Sequence, residues 1–244
     1  MRRKMLFTIA VAILSLSLNH ARAYAQVDES RRVEVGGQFS VLHVANGRGS
    51  VTTTVQCLVP PCPTVTTFSE GSEVEPGFGA RIGYHLTPNF AVEAEGNFFP
   101  REREFAGGRK AQGLFGVKAG KRFEQVGVYA KARPGFVRFS EGDLRPRPNV
   151  ACVAVFPPPL GCFEPNPKTH FAFDVGGVFE YYPTARTLIR FDAGDTIIRF
   201  GEHRVPVVVD PPSGSLAPTR LVVGVAPSET THNFQGSLGF GVRF

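Results

Sequence analysis

The 244-residue chain has 42% apolar and 20% charged residues and a formal net charge of +6 at neutral pH. Four basic residues, Arg2, Arg3, Lys4 and Arg22, lie at the extreme N-terminus, and without them the 27 basic residues fall to 23 against 21 acidic ones. This near balance excludes the basic footprint of a nucleic-acid-binding protein, and the length suits one all-β barrel domain.

The N-terminus has the order of residues found in secretory signals. Positions 2–4 are basic, positions 5–18 form an apolar run, and Ala-Tyr-Ala occupies positions 23–25. We therefore predict a signal peptide over residues 1–25 and a mature domain over residues 26–244. An apolar run of about 14 residues is too short for a membrane-spanning helix, which needs roughly 20.

Alternation of apolar and polar residues recurs along the mature chain, which predicts strands with two chemically different faces. One of the clearest examples sets Phe171, Phe173 and Val175 against Asp174 and Gly176. In chain order, the predicted strands are 33–44, 78–86, 90–98, 115–122, 126–133, 171–181, 189–194 and 234–244.

The connections between these strands alternate in length. Short turns follow the second, fourth and sixth strands. Long connections follow the others, over residues 45–77, 100–110, 140–169 and 201–232. Tight periplasmic turns and longer extracellular loops are typical of a membrane barrel. We predict an all-β, antiparallel, up-and-down transmembrane β-barrel of about eight strands, with short periplasmic turns and long extracellular loops.

The alternation by itself also fits a soluble barrel of the lipocalin type, in which the apolar face is inside. Three features favour the membrane form. The polar face is rich in glycine, including Gly79, Gly116 and Gly239, which makes room for long side chains in a narrow lumen. Aromatic residues, among them Tyr181 and Tyr182, cluster near the strand ends, as in interfacial girdles.

The third feature is a balance of charges on the polar face, which a filled lumen needs because an unpaired buried charge costs several kcal/mol. The predicted lumen charge network is Glu34, Arg81, Glu93, Glu95, Lys118, Arg122, Lys131, Arg133, Asp174, Glu180, Arg190, Asp192 and Arg243. Evenly mixed charges on a solvated face are the alternative interpretation.

Four cysteines, Cys57, Cys62, Cys152 and Cys162, lie in two close pairs within the predicted loops. An exported chain matures where disulfides persist. Four cysteines allow three connectivities, and we favour pairing within each close pair because short loops close at least entropic cost. A zinc site is disfavoured because the pairs lack two-residue spacing and nearby histidines.

The last strand carries a recognisable signature. Residues 237–244 read Ser-Leu-Gly-Phe-Gly-Val-Arg-Phe, with apolar residues alternating up to a terminal Phe. This segment resembles the terminal strand of bacterial outer-membrane barrels, which the barrel-assembly machinery reads. The resemblance implies that Gly239, Val242 and Phe244 form an assembly signal and that the barrel-assembly machinery is a partner.

The mature chain also resembles, in pattern and strand count, the small outer-membrane barrels that include the OmpA membrane domain, OmpX and the opacity proteins. The resemblance implies location in the outer membrane, contact with its lipid, and a non-enzymatic surface role through the loops. The chain ends at the barrel, so a cell-wall tether is not implied.

No cofactor is expected, since Gly107-Gly108 lacks the residues of a phosphate loop. The sequence does not name the loop ligand.

Two other functions stay open. An outer-membrane enzyme that modifies lipid A would need His, Ser and a carboxylate at the outer rim. The available residues there are His43, His170, His232, Ser40, Asp174 and Ser228, without a His-x-Ser pair. A narrow channel is the other alternative, but Arg81, Lys118, Arg133 and Arg190 would obstruct a lumen that about eight strands nearly fill.

Overall fold

The computed structural model describes residues 31–45, 64–66, 72–102, 107–148, 160–210 and 220–244. The predicted signal peptide lies outside these ranges. The described residues form eleven strands and one short 3-10 helix, Leu160–Cys162. The strands are β1 (Val33–Val44), β2 (Thr64–Thr66), β3 (Glu73–Thr87), β4 (Phe90–Phe99), β5 (Lys110–Arg122), β6 (Val126–Pro146), β7 (Phe163–Tyr181), β8 (Thr187–Phe200), β9 (His203–Asp210), β10 (Arg220–Ala226) and β11 (Glu229–Arg243).

Eight of these strands close into a barrel in the order β1-β11-β8-β7-β6-β5-β4-β3. Every neighbouring pair is antiparallel, and the barrel closes where β1 pairs with both β3 and β11. Within β1, Phe39 lies opposite Leu238 on one side and Phe78 on the other. The predicted all-β, antiparallel barrel of eight strands is confirmed.

The barrel has two different ends, which we name by their connections. At the turn end, β3–β4, β5–β6 and β7–β8 are joined by short turns, and the start of β1 meets the end of β11. At the loop end lie the long connections that follow β1, β4, β6 and β8. The predicted alternation of short and long connections is therefore present in the fold.

The outward face of the barrel is apolar. Large exposed side chains on this face are Val35, Phe39, Val74, Phe78, Ile82, Tyr84, Phe115, Val128, Phe136, Phe171, Val175, Phe179, Phe191, Phe234, Leu238 and Phe240. The alternate positions of the same strands point inward and are largely polar or charged. Such a molecule is turned inside out relative to a soluble barrel, as expected for strands that face lipid.

Several strands are longer than the alternation predicts. β6 runs to Pro146 and β7 begins at Phe163, so much of the predicted loop 140–169 is paired strand. β3 also begins inside the predicted loop 45–77, at Glu73, and β11 begins at Glu229. Beyond the apolar band both faces of a strand are polar, and the period-2 signal that marks a strand is lost.

A second sheet lies at the loop end, within segments predicted to be loops. It has three strands in the order β10-β9-β2. β9 pairs with β10 from His203 to Val209, whereas β2 covers only the Val208–Asp210 end of β9. Valine-rich segments on both sides of residues 211–219 have high β-propensity, which the search for alternation does not detect.

None of the helical segments in the described ranges has the length and hydropathy of a membrane span.

Candidate functional site

The centre of the barrel is occupied by two fully buried arginines, Arg133 and Arg190. Arg190 forms a two-point pair with Glu93, at 2.7 and 2.9 Å, and its Nε donates to Asp192 at 2.7 Å. The planar guanidinium matches the two oxygens of a carboxylate, which makes such pairs strong and directional. These contacts link β8, which carries Arg190 and Asp192, to β4, which carries Glu93.

Arg133 ties the other half of the network together. Its Nη1 lies 2.6 Å from Glu95 and 3.1 Å from Glu93, and its Nε donates to Asp174 at 2.9 Å. Lys131, on the same strand, lies 3.0 Å from Asp174. Because each carboxylate meets at least one cation, the cost of burying these charges is offset by direct pairing.

Towards the turn end, a second group of charges surrounds Glu34. Its carboxylate accepts from Lys118 at 3.1 Å and lies 2.9 Å from His85 Nε2 and 3.1 Å from Arg243 Nε. Lys118 also pairs with Glu180. The amino-terminal and carboxyl-terminal barrel strands are thus linked through side chains as well as through the backbone ladder.

Aromatic rings close this end of the lumen. Tyr182 donates from its hydroxyl to Glu180 at 2.5 Å and is nearly fully buried. The guanidinium of Arg122 lies 4.2 Å from the centre of the Tyr182 ring, within the range of a cation–π contact. The assignment of Tyr182 to an outer aromatic girdle is therefore wrong, because a one-residue step from Tyr181 reverses the face of the strand.

Above the charged centre lies a layer of amides and hydroxyls. Asn97 accepts from Gln38 at 2.8 Å and from Ser40 at 3.0 Å, and it donates to Gln112 at 2.8 Å. Gln112 donates in turn to Gln235 at 2.9 Å. These hydrogen bonds join β1, β4, β5 and β11 across the lumen, and each one links two uncharged side chains.

The loop end of the lumen is closed by apolar side chains and one ion pair. Two buried clusters lie there, Leu42 with Val44 and Phe99, and Val137 with Phe139, Ala172 and Ile198. Between the layers, Lys110 pairs with Glu75 at 2.9 Å, and both side chains are at most 2% exposed. Buried inward side chains therefore occupy the lumen from Glu34 and Tyr182 near the turn end to Leu42 and Phe139 near the loop end.

The structure brings the thirteen predicted lumen residues to the inside of the barrel, with Arg122 near its turn end. Sequence reasoning missed His85, Glu75, Lys110 and the amide layer. Glu75 lies in the predicted loop 45–77, because β3 begins earlier than its alternation shows. His85 lies within the predicted strand 78–86, whose alternation by itself does not show the contact with Glu34. If the alternation of the predicted strands 78–86 and 115–122 is continued towards the loop end, Glu75 and Lys110 fall on the inward face.

Glycine is required at inward positions for two different reasons. A Cβ at Gly79 would lie 2.1 Å from Asn97 Oδ1, so this glycine makes room for a lumen side chain, as predicted, and it would also lie 2.4 Å from the carbonyl oxygen of Gly96 on the neighbouring strand. A Cβ at Gly116 would lie 2.2 Å from the carbonyl oxygen of Ala132, which belongs to the neighbouring strand. There the glycine permits the close approach of two backbones in a tightly curved barrel, which is a correction to the prediction.

At the loop end, the tip of the β6–β7 hairpin joins the second sheet. The backbone N–H of Arg204, on β9, donates to Asp143 of β6 at 2.8 Å, and its guanidinium donates to the Leu144 carbonyl at 3.1 Å. Below this junction the rings of His170 and Phe200 lie 4.7 Å apart. We call the paired ends of β6 and β7, residues 143–146 and 163–166, together with the β2-β9-β10 sheet, the platform.

The residues considered for an enzyme lie on different faces. His170 is inside the barrel against Phe200, whereas His232 is exposed on the outward face and pairs with Asp195 at 2.5 Å. Ser40 is bound in the lumen amide layer and Asp174 in the charged centre. In the described ranges no set of three metal-binding side chains comes together either.

The cysteines lie mostly outside the described residues. Cys162 is disulfide-bonded, and its partner is not among the described residues. The pairings Cys57–Cys62 and Cys152–Cys162 therefore stay predictions. The role of Gly239, Val242 and Phe244 as an assembly signal also stays a prediction. In the structure Gly239 faces the lumen, and Val242 and Phe244 point outward.

Comparison with known proteins agrees with this architecture. The family model described as "Outer membrane protein beta-barrel domain" matches residues 9–244. Since the match covers nearly the whole chain, the protein belongs to this family, and its barrel lies in the cell outer membrane. None of the curated proteins matches the chain.

Three solved structures have a similar fold. Neisserial surface protein A is 14% identical, with 87% of this chain and 97% of that chain covered and a TM-score of 0.45. OprG from Pseudomonas aeruginosa is 9% identical, with 88% and 97% covered and a TM-score of 0.44. Ail of Yersinia pestis, solved in complex with the heparin analogue sucrose octasulfate, is 13% identical, with 87% and 99% covered and a TM-score of 0.38.

Proposed function

We propose that this protein is a non-enzymatic surface protein whose barrel anchors the platform outside the cell, where it contacts a macromolecule on another cell, on a host surface or in the envelope. The loop end faces the exterior and the turn end faces the periplasm. The observation that carries this proposal is the continuation of paired strands far beyond the apolar band.

The platform has the properties of a presented binding surface. From Arg138, where the outward apolar residues of β6 end, the strand continues to Pro146, which is a rise of about 20 Å for a strand tilted by roughly 40°. Arg145 pairs with Glu164 across the hairpin at 2.7 Å, and Arg204 joins the second sheet to it. Loops held on a rigid scaffold are the usual place for recognition.

The packed lumen supports the role of an anchor better than that of a channel. Arg133 and Arg190 fill the centre, and their side chains are held by several carboxylates each. Moving either one aside would leave buried charges without partners, which costs several kcal/mol. We therefore expect no stable conductance when the purified protein is inserted into planar bilayers; a steady single-channel current would favour the channel instead.

The orientation is tested with epitope tags on intact cells. A tag inserted between residues 211 and 219 should be accessible to antibody without permeabilisation. A tag inserted at Glu124, in a short turn, should be accessible only after permeabilisation. The opposite pattern would overturn the proposed orientation, and heat-modifiable gel mobility of both variants serves as the control for folding.

Recognition is tested by removing the platform's second sheet. Residues 203–226 are replaced by a short Gly-Ser linker between β8 and β11, which leaves the barrel ladder intact. Cells with the intact protein should attach to immobilised matrix proteins, epithelial monolayers or other bacterial cells more strongly than cells with the shortened protein. If cells with and without the whole protein attach equally to all three surfaces, the proposed surface role fails.

A further inference from the structure

The outward apolar band ends at one arginine on β6 and one on β8, the two strands that flank β7. On β6 the outward residues from Val126 to Phe136 are apolar, and the next outward residue is Arg138. On β8 the next outward residue after Ile197 is Arg199. Both arginines are exposed, and neither has an ion pair or a side-chain hydrogen bond within the described ranges.

Their height above the turn end matches the thickness of a bilayer's hydrocarbon region. Tyr181 marks the turn end of the band, because it pairs with Val126 on β6 and Ile189 on β8. With a rise of about 3.3 Å per residue and a tilt of roughly 40°, Arg138 lies about 30 Å and Arg199 about 25 Å above this row. The outward apolar band of such barrels is about 25 Å tall, so both arginines reach the level of the headgroups.

The neighbours of Arg199 complete a polar patch. Arg199 lies opposite Phe171 on β7 and Thr230 on β11. Two residues along β11 from Thr230, on the same face, is His232, whose side chain is 71% exposed. The Nδ1–H of His232 donates to the Asp195 carboxylate at 2.5 Å, which leaves Nε2 as a hydrogen-bond acceptor for the P–OH of a phosphate monoester.

Asp195 is the carboxylate on this part of the outward face, and its oxygens are already engaged. One oxygen accepts from His232 and the other from the backbone N–H of Asn233, at 2.9 Å. A carboxylate used in this way fixes the orientation of the imidazole. The two arginines therefore face the lipid with their side-chain donors unused, and His232 keeps one ring nitrogen, Nε2, for a ligand.

We propose that Arg138, Arg199 and His232 form a binding site for the phosphate groups of a phosphorylated lipid in the outer leaflet. The guanidinium groups supply paired donors that match phosphate oxygens. Phe171 lies beside Arg199, and Phe136 lies one outward position below Arg138, where the acyl chains of the same lipid begin. That the leaflet is the outer one rests on the orientation proposed above, but binding itself does not depend on that orientation.

The experiment uses the full mature chain refolded in zwitterionic nanodiscs. Bis-phosphorylated lipid A and its dephosphorylated form are titrated separately, and native mass spectrometry measures the bound lipid. The double variant Arg138→Gln/Arg199→Gln is compared with Lys121→Gln. Lys121 is an exposed outward cation at the turn end, where its amino group lies 5.6 Å from the Phe123 ring centre. Heat-modifiable mobility verifies that each variant is folded.

The unmodified chain should bind the phosphorylated lipid at least tenfold more tightly than the dephosphorylated one. The double variant should lose this preference and Lys121→Gln should retain it. Inorganic phosphate in large excess should not compete, since the site also needs the acyl chains. Equal binding of the two lipids, an equal loss in Lys121→Gln, or displacement by free phosphate would each overturn the proposal. A failure of the epitope test would leave this result unaffected and would change only the leaflet.

Discussion

The inward and outward faces of the same barrel strands have opposite chemistry. On β8, Arg190 and Asp192 are buried in the lumen, whereas Phe191 between them is 48% exposed on the outward face. Inside, stability depends on pairing every charge that folding removes from water. Outside, it depends on keeping charges away from hydrocarbon. In a single strand, inward residues therefore need charge partners, whereas outward residues need to be apolar.

The largest effect is expected from removing a central cation. Arg190→Met would leave Glu93 and Asp192 without their closest partner, and it should lower the free energy of unfolding by about 3–5 kcal/mol. Urea unfolding of the refolded protein in lipid vesicles measures this change. Arg81→Met is the matched control on the same face, since Arg81 lies 4.0 Å from its carboxylate partner, Asp192. Its loss should be clearly smaller, and equal losses would show that direct pairing does not set the stability of the lumen.

The next effect concerns the outward face. Leu238→Arg near the middle of the band should cost about 2–4 kcal/mol, because the charge must leave water for hydrocarbon. Thr230→Arg on the same strand lies at the level of the headgroups and should cost about 0–1 kcal/mol. The same unfolding experiment compares the two variants. A penalty independent of depth would contradict the assignment of this face to lipid.

Crowding of the backbone inside the barrel gives a smaller effect. Gly116→Ala would place a methyl group 2.2 Å from the Ala132 carbonyl oxygen and should cost about 1–3 kcal/mol. Gly83→Ala is the matched control, because the nearest atom to its Cβ would be 3.7 Å away. That variant should be neutral or slightly stabilising. If both alanines cost the same, close approach of strands is not the reason for glycine at position 116.

The smallest effect on the barrel is expected from the cysteines. Cys57, Cys62 and Cys152 belong to the predicted loops and lie outside the described residues, and Cys162 ends the 3-10 helix before β7. A disulfide stabilises the loop that it closes, so replacing all four cysteines with serine should leave the yield of heat-modifiable barrel nearly unchanged. Loss of the folded form would show that these bonds support the barrel itself.

Much of the architecture could be predicted because period-2 alternation is a local property. The segments around Phe173, Phe191 and Leu238 each show by themselves which face is apolar. The prediction failed where local chemistry is ambiguous. The ends of β6 and β7 are polar on both faces, and the valine-rich β9 and β10 lack alternation. Asp195 also continues β8 on the outward face, beyond the last residue of the predicted strand.

The barrel class, the near balance of lumen charges and the two faces of most strands can be predicted, since each follows from residues close together in the chain. Which charges meet depends on the folded barrel. Arg190 and Glu93 are 97 residues apart, and Lys118 and Glu34 are 84 apart. Their contact depends on barrel closure and on the register of every intervening strand, and no local pattern encodes that register. The same holds for the patch of Arg199 and His232, which exists only because β8 and β11 lie side by side.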